Sequence, residues 1–144
     1  MTAAIANRDT PEFAFQGGDY SNREVPVKAA TKIFAGTIVA LDASGFAAPA
    51  STALNLIILG VAQALADNSA GAAGDIKVKV KPGVYKLVNT GPIVQADLGK
   101  TCFVTDDQTV AKTDGGGTKS AAGKVFQVDS DGVWVSTGFT SLFA

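Results

Sequence analysis

Apolar and polar positions alternate most strictly between residues 74 and 87, GDIKVKVKPGVYKL. There Ile76, Val78 and Val80 interleave with Lys77, Lys79 and Lys81 until Pro82-Gly83 ends the run. A period of two predicts a β-strand with one buried and one wetted face. Short apolar runs of the same kind recur from Val25 onward, punctuated by Gly, Pro, Asp and Asn. GTIVAL (36–41) precedes the turn DASG and then FAAPA. LNLIILGVAQAL (54–65) precedes the loop ADNSAGAAG. After IKVKVK come VYKLVN, TCFVT, TVAKT, AGKVFQV and VWVST. About six to nine short strands joined by turn residues predict an all-β single domain, a small barrel or sandwich.

Asp131-Gly132, between Val125–Val128 and Val133–Val135, predicts a closing hairpin. DDQT (106–109) and TDGGGTKSAAG (113–123) read as loops, the second flexible. Only GVAQALADNSAGAA and PIVQADLGK invite a helix, and neither is long or capped enough for more than a turn or two.

Residues 1–24 show no useful periodicity, yet carry Phe13, Phe15 and Tyr20. They read as an extended arm that orders against a partner, with a disordered terminus as the alternative. The expected organisation is therefore an arm (1–24), a β-domain (25–137) and a tail (138–144).

Composition narrows the function. With 47% apolar and 17% charged residues in 144, the chain folds around a core. Its net charge of -1 supplies no global field toward nucleic acid or anionic membrane. The longest apolar stretch, LNLIILGVAQALA, is 13 residues, too short to span a bilayer, and no apolar run follows Arg8 to make a secretory signal. Without histidine, Ser-His-Asp and Cys-His catalysis and imidazole metal sites are out. The single Cys102 permits no intrachain disulfide and reads as a small apolar residue in a strand.

DSDG (129–132) has its glycine at the wrong position for a calcium loop and is better read as a turn. Asp106 and Asp107 are adjacent, so an extended chain points them apart. GKT (99–101) has Val94 where a phosphate loop needs glycine. No catalytic, cofactor or metal residue is therefore expected. A basic patch remains, because residues 75–86 hold four lysines (Lys77, Lys79, Lys81, Lys86) and one acid, Asp75. That patch leaves open a small β-barrel binding module for single-stranded nucleic acid or carbohydrate, although only Tyr85 interleaves with the lysines. A solvated face whose lysines discourage edge pairing is the simpler reading.

Four stretches carry a resemblance through their order and spacing: FAGTIVALDASGFAAPAS (34–51), ILGVAQALADNSAGAAGDIKVKVKPGVYKL (58–87), ADLGKTCFVTDDQTV (96–110) and AGKVFQVDSDGVWV (122–135). Together they resemble the capsid cement, or head decoration, proteins of tailed bacteriophages. The resemblance covers residues 25–136. It implies an all-β structural protein, not an enzyme and without a cofactor. Such a protein binds the major capsid protein on the outside of an assembled head, beside copies of itself, as a homo-oligomer with a trimer favoured. It also implies a virion location after synthesis in the host cytoplasm, with neither nucleic acid nor membrane as partner. On that reading Phe13, Phe15 and Tyr20 anchor the arm on a neighbour, and Lys77, Lys79 and Lys81 meet an acidic stripe on the shell.

Overall fold

The computed structural model describes residues 2–12 and 23–138. Twelve strands account for nearly half of it: β1 (Arg23–Pro26), β2 (Thr31–Ile33), β3 (Ile38–Leu41), β4 (Ala47–Pro49), β5 (Ile57–Ala62), β6 (Ala66–Asn68), β7 (Lys77–Lys81), β8 (Gly83–Gly91), β9 (Thr101–Val104), β10 (Thr109–Ala111), β11 (Ala121–Asp129) and β12 (Gly132–Thr137). The all-β expectation holds, but with more strands than the apolar runs alone suggest.

Five strands close a barrel in the order β10-β8-β12-β11-β9. It is antiparallel except where β10 runs parallel to β8. A second sheet has the order β1-β7-β5-β3-β4, and β2 pairs with β6 alone.

Strands β3 and β5 join the two halves. Their sequences, IVAL and IILGVA, are continuous apolar runs rather than alternations, the signature of strands buried on both faces. Ile38, Ala40 and Ile58 point into the barrel core with Leu87, Val104 and Val133. Val39 and Leu59 point the other way, into a core with Val27, Val78 and Val80. Val39 pairs with Gly60 and Ala40 with Ile58, so Leu59 is an extra, bulged residue in β5. A bulge re-aims side chains, which suits a strand that must feed two cores.

Neither stretch that invited a helix forms one of any length. PIVQADLGK contains a single 3-10 turn, Gln95–Asp97, whose Asp97 carboxylate accepts the Val94 N–H at 2.9 Å. The alanine-rich stretch becomes the end of β5 and the whole of β6. There the buried Asn68 amide donates to the carbonyls of Lys28 (3.0 Å) and Ala72 (2.9 Å). Three-residue strands such as β2 and β6 carry too little pattern to read, because remote pairing rather than periodicity defines them.

The closing hairpin forms, shifted by one residue. Asp129 faces Gly132, leaving Ser130 and Asp131 at the tip, and neither has a positive φ. The turn is therefore not the mirror-image type that Asp-Gly favours. Gly132 instead lies in the strand because β8 passes close: a Cβ there would sit 2.9 Å from the Leu87 carbonyl oxygen.

Removing a wall side chain should damage both halves. Ile38 is fully buried, so Ile38→Ala should cost about 2–5 kcal/mol in urea unfolding. A loss below about 1 kcal/mol would contradict the shared-wall packing.

Candidate partner-binding face

Strand β7 is flanked on both sides. Glu24 lies opposite Lys79 and Pro26 opposite Lys77 on β1, while Val61 lies opposite Lys81 on β5. Val78 and Val80 are buried, and Lys77 and Lys79 stand exposed. The predicted alternation is thus present, but the lysines occupy the face of an interior strand. They do not guard an edge, which corrects the edge-protection reading.

The positive charge of the row is smaller than the sequence suggests. Lys81 is half-buried, with its Nζ 3.3 Å from Glu12 Oε2. Lys86 turns away to the hairpin, where it pairs with Asp131 and lies 3.7 Å from Asp129 Oδ2. Its ammonium also sits 5.8 Å from the centre of the Trp134 ring, and the indole N–H donates to Asp129 Oδ2 at 2.8 Å. The hydrogen bond from the Trp134 indole, aided by Gln127 and Lys86, holds the Asp129 carboxyl below its ordinary value. The hydrogen bond to Asp131 likewise raises the Lys86 ammonium. Lys77 and Lys79 are left with no ion pair to a described residue.

Residues 2–12 form an extended strap across the seam between the two halves. The Ala4 N–H donates to Asp107 Oδ1 (2.8 Å) and Gln108 Nε2 donates to the Thr2 carbonyl (2.7 Å). The Arg8 N–H donates to the Ala35 carbonyl (2.6 Å), and its guanidinium to the Lys86 carbonyl (3.1 Å). The Lys86 N–H donates to the Pro11 carbonyl (2.9 Å), and Glu12 forms a single β-bridge with Tyr85. Gly36 lets the strap approach, since its φ is +81° and a Cβ would meet the Arg8 carbonyl.

Under the strap, Val61 and Tyr85 are each 2% exposed, whereas Ile5 faces outward at 87%. Burial, with Glu12 adding to it, raises the Tyr85 phenol above its ordinary value, and its O–H donates to the Lys81 carbonyl (3.0 Å). Burial also raises the Asp107 carboxyl and lowers the Arg8 guanidinium.

Of the six predicted contact residues, Lys77, Lys79 and Lys81 lie together on the face of β7. Phe13, Phe15 and Tyr20 fall outside the described residues. The points that flank them are fixed, however. Glu12 pairs with Lys81, and Arg23 lies opposite Val80, one residue along the same strand. The Glu12 side chain and the Arg23 backbone thus both meet β7, while the Glu12 backbone bridges to Tyr85 of β8. Strand β1 begins at Arg23, just before the arm boundary drawn at residue 24.

Cys102 is 1% exposed, and burial pushes its thiol up to about 12, so no thiolate exists at neutral pH. Asp106 accepts the Gln108 N–H (3.0 Å) in a turn, separate from the role of Asp107 in the strap. Among the described residues no group of three or more His, Cys, Asp or Glu is placed to hold a metal ion, and no helix is long and apolar enough to cross a membrane. Sequence reasoning missed Asn7, Arg8 and Asp107 as strap contacts, because each bond joins residues far apart in the chain and has a backbone group as one partner.

The depressed Asp129 value sets an acid dependence. A carboxylate held below its unfolded value contributes stability that is fully present above about pH 4 and is lost as pH falls through the folded value. Asp129→Asn should lower the Tm at pH 7 and lose less than the parent between pH 4 and pH 2. Parallel Tm curves for the two proteins would contradict this role. Comparisons with protein-family models, with curated proteins and with solved structures find no match to this chain.

Proposed function

We propose that the chain is a capsid decoration protein that binds the outer surface of an assembled tailed-phage head and strengthens it. The observation that carries this reading is the convergence on β7. The exposed lysines Lys77 and Lys79, the Glu12 carboxylate on Lys81 and Arg23 opposite Val80 meet on one strand. A rigid all-β platform presenting a basic face and an aromatic segment suits attachment to a large acidic surface. The order of the four resembling stretches supports the same assignment.

Decoration needs no large single interface. Many copies on a symmetric lattice multiply modest contacts into tight overall attachment. Phe13, Phe15 and Tyr20 supply the anchors, and Lys77 and Lys79 set orientation and rate of encounter. Neighbouring copies, grouped as trimers, share the load. The major capsid protein is the partner.

The test is co-sedimentation with emptied heads built from the major capsid protein encoded alongside the chain. The parent protein should pellet with the shells and release progressively toward about 0.5 M salt, where exposed pairs are screened. Lys77→Glu/Lys79→Glu should weaken binding by about tenfold or more at low salt. Absence of the parent from the pellet would overturn decoration, and a gel shift with single-stranded DNA at low salt would then favour the nucleic-acid module. Pelleting that ignores both the double substitution and salt would remove the lysine face from the contact.

A further inference from the structure

The strap over residues 2–12 is laid on the surface rather than packed into either core. None of its residues is buried: Ala4, Arg8 and Thr10 are half-buried and the rest are exposed, Ile5 most of all. It is fastened by hydrogen bonds, from the Ala4 N–H on Asp107 to the Pro11 carbonyl on the Lys86 N–H, and by the Glu12–Lys81 pair. A cleft of about 190 Å³, lined by Arg8 and Glu12 of the strap and by Gln63 and Tyr85 beneath, shows that the two surfaces do not close on one another. Such a segment buries little apolar surface of its own and can trade its hydrogen bonds for bonds to water. It therefore opens at low free energy while the packed strands stay shut. Opening strands no hydroxyl at Tyr85, whose O–H donates to the Lys81 carbonyl and not to the strap.

The end of the strap reaches the basic face. The Glu12 carboxylate lies 3.3 Å from Lys81 Nζ, and Gly83 leaves room for it: a Cβ there would stand 3.1 Å from Glu12 Oε2. Lys81 belongs to the same face of β7 as Lys77 and Lys79, because side chains two residues apart on a strand point the same way. Of the three, only Lys81 is half-buried, and the strap supplies its partner.

We propose that the strap is a releasable latch on the basic face. It opens as a unit while both halves stay folded, and opening frees Lys81 to join Lys77 and Lys79 in one row of three. The closed strap is autoinhibitory, because Glu12 occupies the ammonium that an external carboxylate would take. An acidic surface seated on Lys77 and Lys79 gains a third pair only when the strap is open. Its binding therefore draws the equilibrium toward the open form. The use of the latch in attachment rests on the decoration reading, whereas its opening is a property of the free protein.

The test on the free protein is amine acetylation at low salt, read lysine by lysine by mass spectrometry, together with hydrogen exchange. In the parent, Lys81 should react several-fold more slowly than Lys77 and Lys79. Glu12→Gln should speed Lys81 several-fold and leave the other two unchanged. The Arg8, Ala35 and Lys86 amides, which bond across the strap, should exchange together, with little denaturant dependence and well before those of β12. Equal reactivity of the three lysines in the parent, or no response of Lys81 to Glu12→Gln, would overturn the latch. So would strap amides that exchange one by one or only with global unfolding. As a second measurement, Glu12→Gln should pellet with emptied heads at several-fold lower shell concentration than the parent, and Glu12→Gln/Lys81→Gln should lose that gain. A parent that pellets without any gain from Glu12→Gln contradicts autoinhibition. A parent that never pellets overturns decoration instead, and the measurements on the free protein then decide the latch.

Discussion

The structure depends on the burial of β3 and β5 on both faces. A strand in most small antiparallel sheets has one wet side, and its sequence alternates. Here Ile38 and Val39 are neighbours in sequence and enter opposite cores, as do Ile58 and Leu59. Burying each such side chain contributes about 1.5–3 kcal/mol, so the wall draws stability from both sides. The barrel and the five-stranded sheet cannot separate without exposing it.

The wall also determines what the surface can offer. With the apolar residues of β3 and β5 consumed internally except Ile57 at the start of β5, the exposed row of β7 is the basic one. The strap seals the seam above Val61 and Tyr85 and ties Glu12 to Lys81. It converts part of the basic row into internal structure and leaves Lys77 and Lys79 outward. The Asp129–Trp134–Lys86 cluster does the same at the hairpin. Charge is thus spent locally wherever the fold needs a fastening and left free on one strand.

The long strands were legible because their pattern is local. IKVKVK alternates, GTIVAL is continuous, and VFQVDSDGVWVS carries its own turn. What escaped depends on residues far apart in the chain. β2 and β6 are only three residues each and exist through pairing with one another. The net positive count over residues 75–86 ignored Glu12, which lies 69 residues from Lys81, and Asp129 and Asp131, which take Lys86. The bonds that hold the strap join residues far apart in the chain, and each has as one partner a backbone group, which carries no side-chain signature. The hairpin slipped by one residue because Gly132 answers to the approach of Leu87 rather than to the turn.

Native-state hydrogen exchange tests the central claim, that the shared wall makes the two halves one cooperative unit. Amides of β3 and β5 should exchange only through global unfolding, with the same free energy and denaturant dependence as those of β8 and β12. Barrel amides that stay protected while β1, β7 and β5 open at lower free energy would contradict it.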